Sequence, residues 1–298
     1  MRRKIVKQGL GGCTVSLPIK WIRENKLSPR DEVELKHQGK NLLISGKGTS
    51  HKKQKEIYIK EADNLPIIRS IISSAYKAGY DELFIHSQHL PSFKNINEII
   101  NTFTGLEVLS QTKDTLRIKS FLQEDENQIE NMIIKMFQTI NAMIKNIIED
   151  WDKIDLENIK ALTEISIRRT RDYCLRIIHL NNYDNDKAYD YCVLITHLEK
   201  IASQLGYVAE YIMEESPLNK KLLLDFQKDY ESFYHCYLKK DFGNTNDLWG
   251  AHHNKVKKMF DPETLSKLVK EQGALAAHYY NLTMHLRTIA SRMLALSL

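Results

Sequence analysis

Between residue 122 and residue 298 the chain has only two prolines, Pro217 and Pro262, and four glycines. In a helix interior, glycine costs about 1 kcal/mol and proline about 3 kcal/mol relative to alanine. A tract this long and this poor in both is predicted to be helical. Met132, Ile133, Met136, Phe137, Ile140, Met143, Ile144, Ile147 and Trp151 fall on one stripe of a first long amphipathic helix. Further helices are predicted over 156–180, 186–215, 218–240 and 246–260, and Pro262 opens a sixth. Ser216-Pro217 is the expected stop of the third.

The apolar register repeats. Leu194, Leu198, Ile201, Leu205 and Val208 are spaced 4, 3, 4, 3, and Leu282, Leu286, Ile289, Met293 and Leu296 repeat that spacing 88 residues later. Such spacing marks a bundle seam. His197-Leu198-Glu199 and His285-Leu286-Arg287 occupy matching places in the repeat. Two three-helix units would place the stretches equivalently.

The front of the chain has a different composition. Residues 1–60 hold 15 basic and 5 acidic side chains, a net of +10, whereas the remaining 28 basic and 33 acidic side chains give −5. Concentrated positive charge at one end favours a polyanionic partner there. Short β-prone runs end at Gly9 and span Thr14–Leu17, followed by a helix opened by Pro18 and running over 19–25. Leu27-Ser28-Pro29-Arg30-Asp31 signals a turn. Strands at 32–36 and 41–45 flank a hairpin turn, Gln38-Gly39-Lys40. A unit of this size buries too little core alone and is expected to pair with a second copy.

The basic first strand, the glycine-rich loop, Thr14-Val15-Ser16-Leu17-Pro18, the short helix and the Asp31-Glu32-Val33-Glu34-Leu35 segment resemble the swapped-hairpin DNA-binding domains of the AbrB, MazE and SpoVT type. The resemblance covers residues 2–46 and implies interlocked dimers with basic residues turned to double-stranded DNA. Lys7 and Arg23 match basic positions of that family, while Thr14 stands where one relative has arginine. The DNA-contacting set is expected to be Arg2, Arg3, Lys4, Lys7, Lys20 and Arg23.

After a lysine-rich linker at 47–55, residues 56–121 read as a small α/β unit. Strands are expected at 56–60, 81–86, 106–111 and 115–121, with helices at 65–78 and 95–103. The helical residues 122–298 resemble the PhoU family, and in particular archaeal PhoU-type proteins with an AbrB-like domain in front. That implies two three-helix bundles and a role in phosphate homeostasis. Family members carry Glu/Asp-x-x-x-Asp metal motifs, and this chain departs from them at the positions that match. Glu199 is followed by Ser203, Glu164 by Arg168, and Arg287 and Ser291 replace both acids of the second repeat. Guanidinium groups oppose a bound cation, so no metal is expected, and Glu164 and Glu199 remain as degenerate positions.

The expected architecture is therefore multidomain α+β, with a swapped-hairpin β-rich domain, a small α/β unit and an all-α pair of three-helix bundles. No run of 18 apolar residues spans a membrane, and Met1-Arg2-Arg3-Lys4 lacks the apolar segment of a signal peptide. Cys13, Cys174, Cys192 and Cys236 form no zinc spacing, so reduced thiols in a cytoplasm are expected. Gly9-Leu10-Gly11-Gly12 lacks the ending of a phosphate loop. His252 and His253, with His235, His278 and His285, lack acidic or thiol partners at ligand spacing. Arg168-Arg169-Thr170-Arg171 and Arg176 can receive an anion or pair with Glu164 and Asp172, and the nearby acids favour pairing. No catalytic arrangement has local support, so neither an enzyme nor a cofactor is expected. The expected function is a homodimeric DNA-binding transcriptional regulator whose helical region takes a signal or a protein partner. The alternative is a PhoU-like adaptor to a transporter or signalling protein, with the front unit used only for dimerisation.

Overall fold

The structure is a computed structural model. It describes residues 2–9, 11–38, 41–46, 53–60, 64–122, 128–180, 185–215, 220–259 and 261–297. The predicted linker residues 47–52, the hairpin residues Gly39 and Lys40 and the Ser216-Pro217 stop lie outside these. The chain divides into two compact units, Met1–Lys52 and Lys53–Leu298.

The first unit holds two antiparallel hairpins and a short helix. β1 (Val6–Gln8) pairs with β2 (Gly12–Thr14), and Lys7 lies opposite Cys13. The second strand is thus earlier than predicted, because Gly9 at φ +66 reverses the chain tightly. α1 (Ile19–Glu24) follows Pro18. β3 (Val33–Gln38) pairs with β4 (Asn41–Gly46) in a separate two-stranded sheet. Among the residues of this unit whose side chains are described none is buried, and Ile5, Val6, Val15, Ile19, Leu35 and Leu42 are exposed.

The second unit begins with a four-stranded mixed sheet. Its strands are β5 (Gln54–Tyr58), β6 (Glu82–His86), β7 (Leu106–Gln111) and β8 (Thr115–Ser120), in the order β5-β6-β8-β7. β5 takes up the last two residues of the predicted linker and runs parallel to β6 through the crossover helix α2 (Leu65–Lys77). α3 (Phe93–Ile100) leads into the antiparallel β7–β8 pair. Side-chain oxygens of Asn64 and Ser92 cap α2 and α3. Ile68, Ile72, Ile96 and Ile100 of the helices pack on Leu83, Ile85, Leu116 and Ile118 of the two central strands. Alternate strand residues thus supply one buried face.

The rest of the unit is helical: α4 (Ile129–Glu149), α5 (Leu156–Ala161), α6 (Arg169–Leu180), α7 (Asn185–Glu215), α8 (Lys221–Lys239), α9 (Phe242–Met259), α10 (Pro262–Gln272) and α11 (Leu275–Leu296). The predicted helix over 156–180 is present, but Leu162–Arg168 forms a π-helical segment between α5 and α6. The predicted last helix breaks at Gly273, whose φ is +56. The two heptad-like stretches form the seam between α7 and α11. Leu194, Leu198, Ile201, Leu205 and Val208 are fully buried, as are Leu282, Leu286 and Ile289. All these helices except α10 contribute to one continuous core, in which Phe137 packs among Tyr230, Tyr234 and Tyr237.

Arg176 joins the sheet portion to the helices. It is 0 % exposed and donates to the carbonyls of Tyr76 and Tyr80 and to Asp81 Oδ1, at 2.8–2.9 Å. Ser73 on α2 donates to Asp172 on α6 at 3.1 Å. Gly79, at φ +75, fits here because an added Cβ would collide with the side chain of Leu180.

Candidate functional site

The basic residues of the first unit sit on elements with no core beneath them. Arg2, Arg3 and Lys4 precede β1, Lys7 lies on it, and Lys20 and Arg23 lie on α1. All six are exposed. Lys20 approaches Glu24 at 3.9 Å, with both side chains largely in solvent, a pair worth at most a few tenths of a kcal/mol. Among the described residues, none of the other five has a carboxylate within ion-pair distance. Their charge is therefore available to an outside anion.

Two further cations there escaped the sequence argument. Lys26 and Arg30 adopt φ +53 and +85, left-handed values that residues with a Cβ rarely take. Lys26 precedes, and Arg30 lies within, a turn closed by Ser28 N donating to Asp31 Oδ2 at 2.6 Å and Asp31 N donating to Ser28 O at 3.0 Å. The Leu-Ser-Pro-Arg-Asp motif signalled the turn, but not the left-handed backbone of Arg30.

In the helical region the degenerate acids are already neutralised. Glu199 is 3 % exposed and accepts from Arg168 Nε at 3.1 Å and from the Ser203 hydroxyl at 2.9 Å. Arg171 Nη1 lies 3.2 Å from its other oxygen. Burial works against the charged form of Glu199, but Arg171, Ser203 and Arg168 outweigh it and hold the carboxyl below its usual range. Glu164 pairs with Arg168 and with Arg69, the latter at 3.2 Å. The π segment carries both Glu164 and Arg168. A network of arginines and acids thus fills the place where the resemblance would put metal ligands.

The histidines are dispersed. His252 is buried between Asp229 Oδ2 and the Thr283 carbonyl, 3.2 Å from each. His253 stacks on Trp249, His235 on Tyr234, and His278 contacts Gln204. His285 meets His197, Nδ1 to Nδ1, at 3.1 Å. These two are the repeat-related histidines, so the 88-residue offset contained the signal for their contact. Burial pushes the His285 imidazole down to about 4, helped by His197 and Lys200, and lowers His197 as well.

A second polar cluster was not read from the sequence. Lys255 on α9 reaches Asp225 and Asp229, one turn apart on α8, at 2.6 and 2.7 Å, and the Tyr279 hydroxyl donates to Asp225 at 2.7 Å. The Asp-x-x-x-Asp spacing was visible, but the lysine between the carboxylates comes from another helix. Among the described residues, no group of three or more His, Cys, Asp or Glu side chains is placed to share one metal ion. The four cysteines are free, and burial raises the Cys174 thiol to about 12. Among the described residues no helix is long and apolar enough to cross a membrane.

No family model, curated protein or solved structure matches the chain.

Proposed function

We propose that this chain is a homodimeric, DNA-binding transcriptional regulator of the cytoplasm, linked to phosphate homeostasis. Its first unit would be a swapped-hairpin domain. Its helical region, a pair of three-helix bundles, would take the signal or a protein partner. The observation that carries the proposal is the combination found in residues 2–46. Arg2, Arg3, Lys4, Lys7 and Arg23 lack carboxylate partners among the described residues, and no described side chain of their unit is buried. Exposed Ile5, Val6, Ile19 and Leu35 ask for cover, and a second copy supplies it. Dimerisation then doubles the cationic surface presented to a duplex. The link to phosphate rests on the resemblance alone.

The test is fluorescence anisotropy of the full-length dimer with a labelled duplex from upstream of its own gene, across salt. If half of the twelve cations in a dimer meet phosphates, log affinity falls against log salt with a slope of about −5. Replacing Arg2, Arg3, Lys4, Lys7, Lys20 and Arg23 with glutamine should abolish binding while sedimentation still reports a dimer. A well-formed dimer without affinity for duplex at low salt leaves the adaptor function in its place.

A further inference from the structure

The run Arg168-Arg169-Thr170-Arg171 and Arg176 places five polar side chains on adjacent turns, and the structure sorts its arginines. Arg168 and Arg171 meet Glu199, and Arg176 meets Asp81. Arg169 is the exception. Its Nε donates to Thr104 Oγ1 at 3.2 Å, and among the described residues no carboxylate lies within ion-pair distance of it. It lines a groove of about 470 Å³ between α4, the π segment, the start of α6 and the Thr104 loop.

The groove has the chemistry of an anion receptor. Lys135 of α4 adds a second cation, also without a described carboxylate partner, and Ser166 adds a hydroxyl, whereas the Thr170 hydroxyl donates to the Ser166 carbonyl at 2.8 Å. None of the ten lining residues is Asp or Glu. With Nε held by Thr104, the Nη edge of Arg169 is oriented as a fork, which suits two oxygens of one phosphoryl or carboxylate group. Leu122, Met132 and Ile165 supply an apolar stretch of the wall, which Gln128 and Tyr173 also line. Ile165 belongs to the π segment, a helix distortion often found at functional sites, and is 55 % exposed. The groove is far larger than a bare phosphate ion and falls in the range of small-molecule sites.

We infer that this groove binds an organic phosphate of nucleotide size, with the phosphoryl group on Arg169 and Lys135 and the apolar or planar body against Leu122, Met132 and Ile165. The proposal concerns the second unit and holds whether or not the first binds DNA. Glu124, Asp125 and Glu126 precede α4 in the sequence and lie outside the described residues. They are the competing occupant that the test must separate.

The experiment is calorimetric titration of the full-length protein with AMP, phenyl phosphate, adenosine and inorganic phosphate. AMP and phenyl phosphate should bind, AMP more tightly than inorganic phosphate, and adenosine should bind far more weakly than AMP. Arg169→Gln should weaken AMP binding roughly 10- to 100-fold, the usual worth of a charge-assisted pair. Arg169→Lys should fall between it and the wild type. Lys135→Gln, at an exposed position whose loss leaves the fold intact, should weaken AMP severalfold, and Lys145→Gln, farther along α4, should leave it unchanged. Absence of binding by AMP and phenyl phosphate at millimolar concentration would overturn the inference, as would equal affinity for adenosine or an Arg169→Gln protein that binds AMP normally. AMP binding seen only after Glu124, Asp125 and Glu126 are changed to their amides would assign the groove to the chain's own acids.

Discussion

Phe137 in the helical region has no exposed surface, whereas Ile5 in the first unit is 74 % exposed. The contrast extends to charge. Arg176 is enclosed and bonded on three sides, while Arg2, Arg3 and Arg23 stand in solvent. The second unit buries most of its large apolar side chains and pairs many of its charges within one chain. The first leaves several apolar side chains and cations exposed, as the proposed pairing with a second copy and a polyanion would require. Burying an isoleucine is worth roughly 1.5–3 kcal/mol. Several described positions of the first unit forgo this.

That contrast can be broken most forcefully at the core. Phe137→Ala should lower the unfolding free energy by about 3–5 kcal/mol in denaturant titration, leaving the dimer intact. If it dissociates the dimer instead, the two units are not independent in the way proposed. Arg176→Ala should cost about 3 kcal/mol, because two buried carbonyls and Asp81 lose their partner. Asp81 is partly open to solvent, which keeps the loss at the low end. Arg23→Ala, by comparison, should change stability by less than about 0.5 kcal/mol.

The first unit should respond in association rather than in stability. Ile5→Glu with Ile19→Glu should weaken the dimer at least about 30-fold in sedimentation, since two buried apolar contacts per protomer would be replaced by charge. The melting of the helical region should not move. An unchanged dimer would place the association surface elsewhere.

A more modest loss than those at the core is a pH dependence confined to the second unit. His285 has its folded pKa pushed down to about 4, below the unfolded value near 6.5. The folded state therefore binds fewer protons between these limits. Stability should be full above about pH 6.5 and fall as pH drops toward 4, by about 1–2 kcal/mol after discounting for partial exposure. His285→Gln should flatten that slope. Glu199 and Asp229, whose carboxyls are held low against burial chiefly by Arg171 and by His252 respectively, act in a lower window. Their stabilisation is present above about pH 4.5 and is lost as pH falls further. A flat profile between pH 6.5 and 5 would show that the burial of His285 carries no such penalty.

Much of this was open to reading in the residues. The stripe from Ile133 to Ile147 and the paired 4, 3, 4, 3 registers dictate helices and identify their buried faces, because helical period is a local property. Alternation in Leu116–Ile118 does the same for one strand of the sheet. Charge asymmetry singled out residues 1–60 before any fold was known. The order β5-β6-β8-β7, the π segment at Leu162–Arg168 and the break at Gly273 were not open to reading in that way. Nor was the sorting of five clustered polar side chains into three neutralised arginines, one groove-lining arginine and a threonine. Glu199 meets Arg168 across 31 positions and Arg176 meets Tyr76 across 100. A sequence specifies which groups must find partners, since a buried charge left alone is too costly to keep. Which partner each one finds depends on distances between segments far apart in the chain, and only the packed tertiary structure sets those.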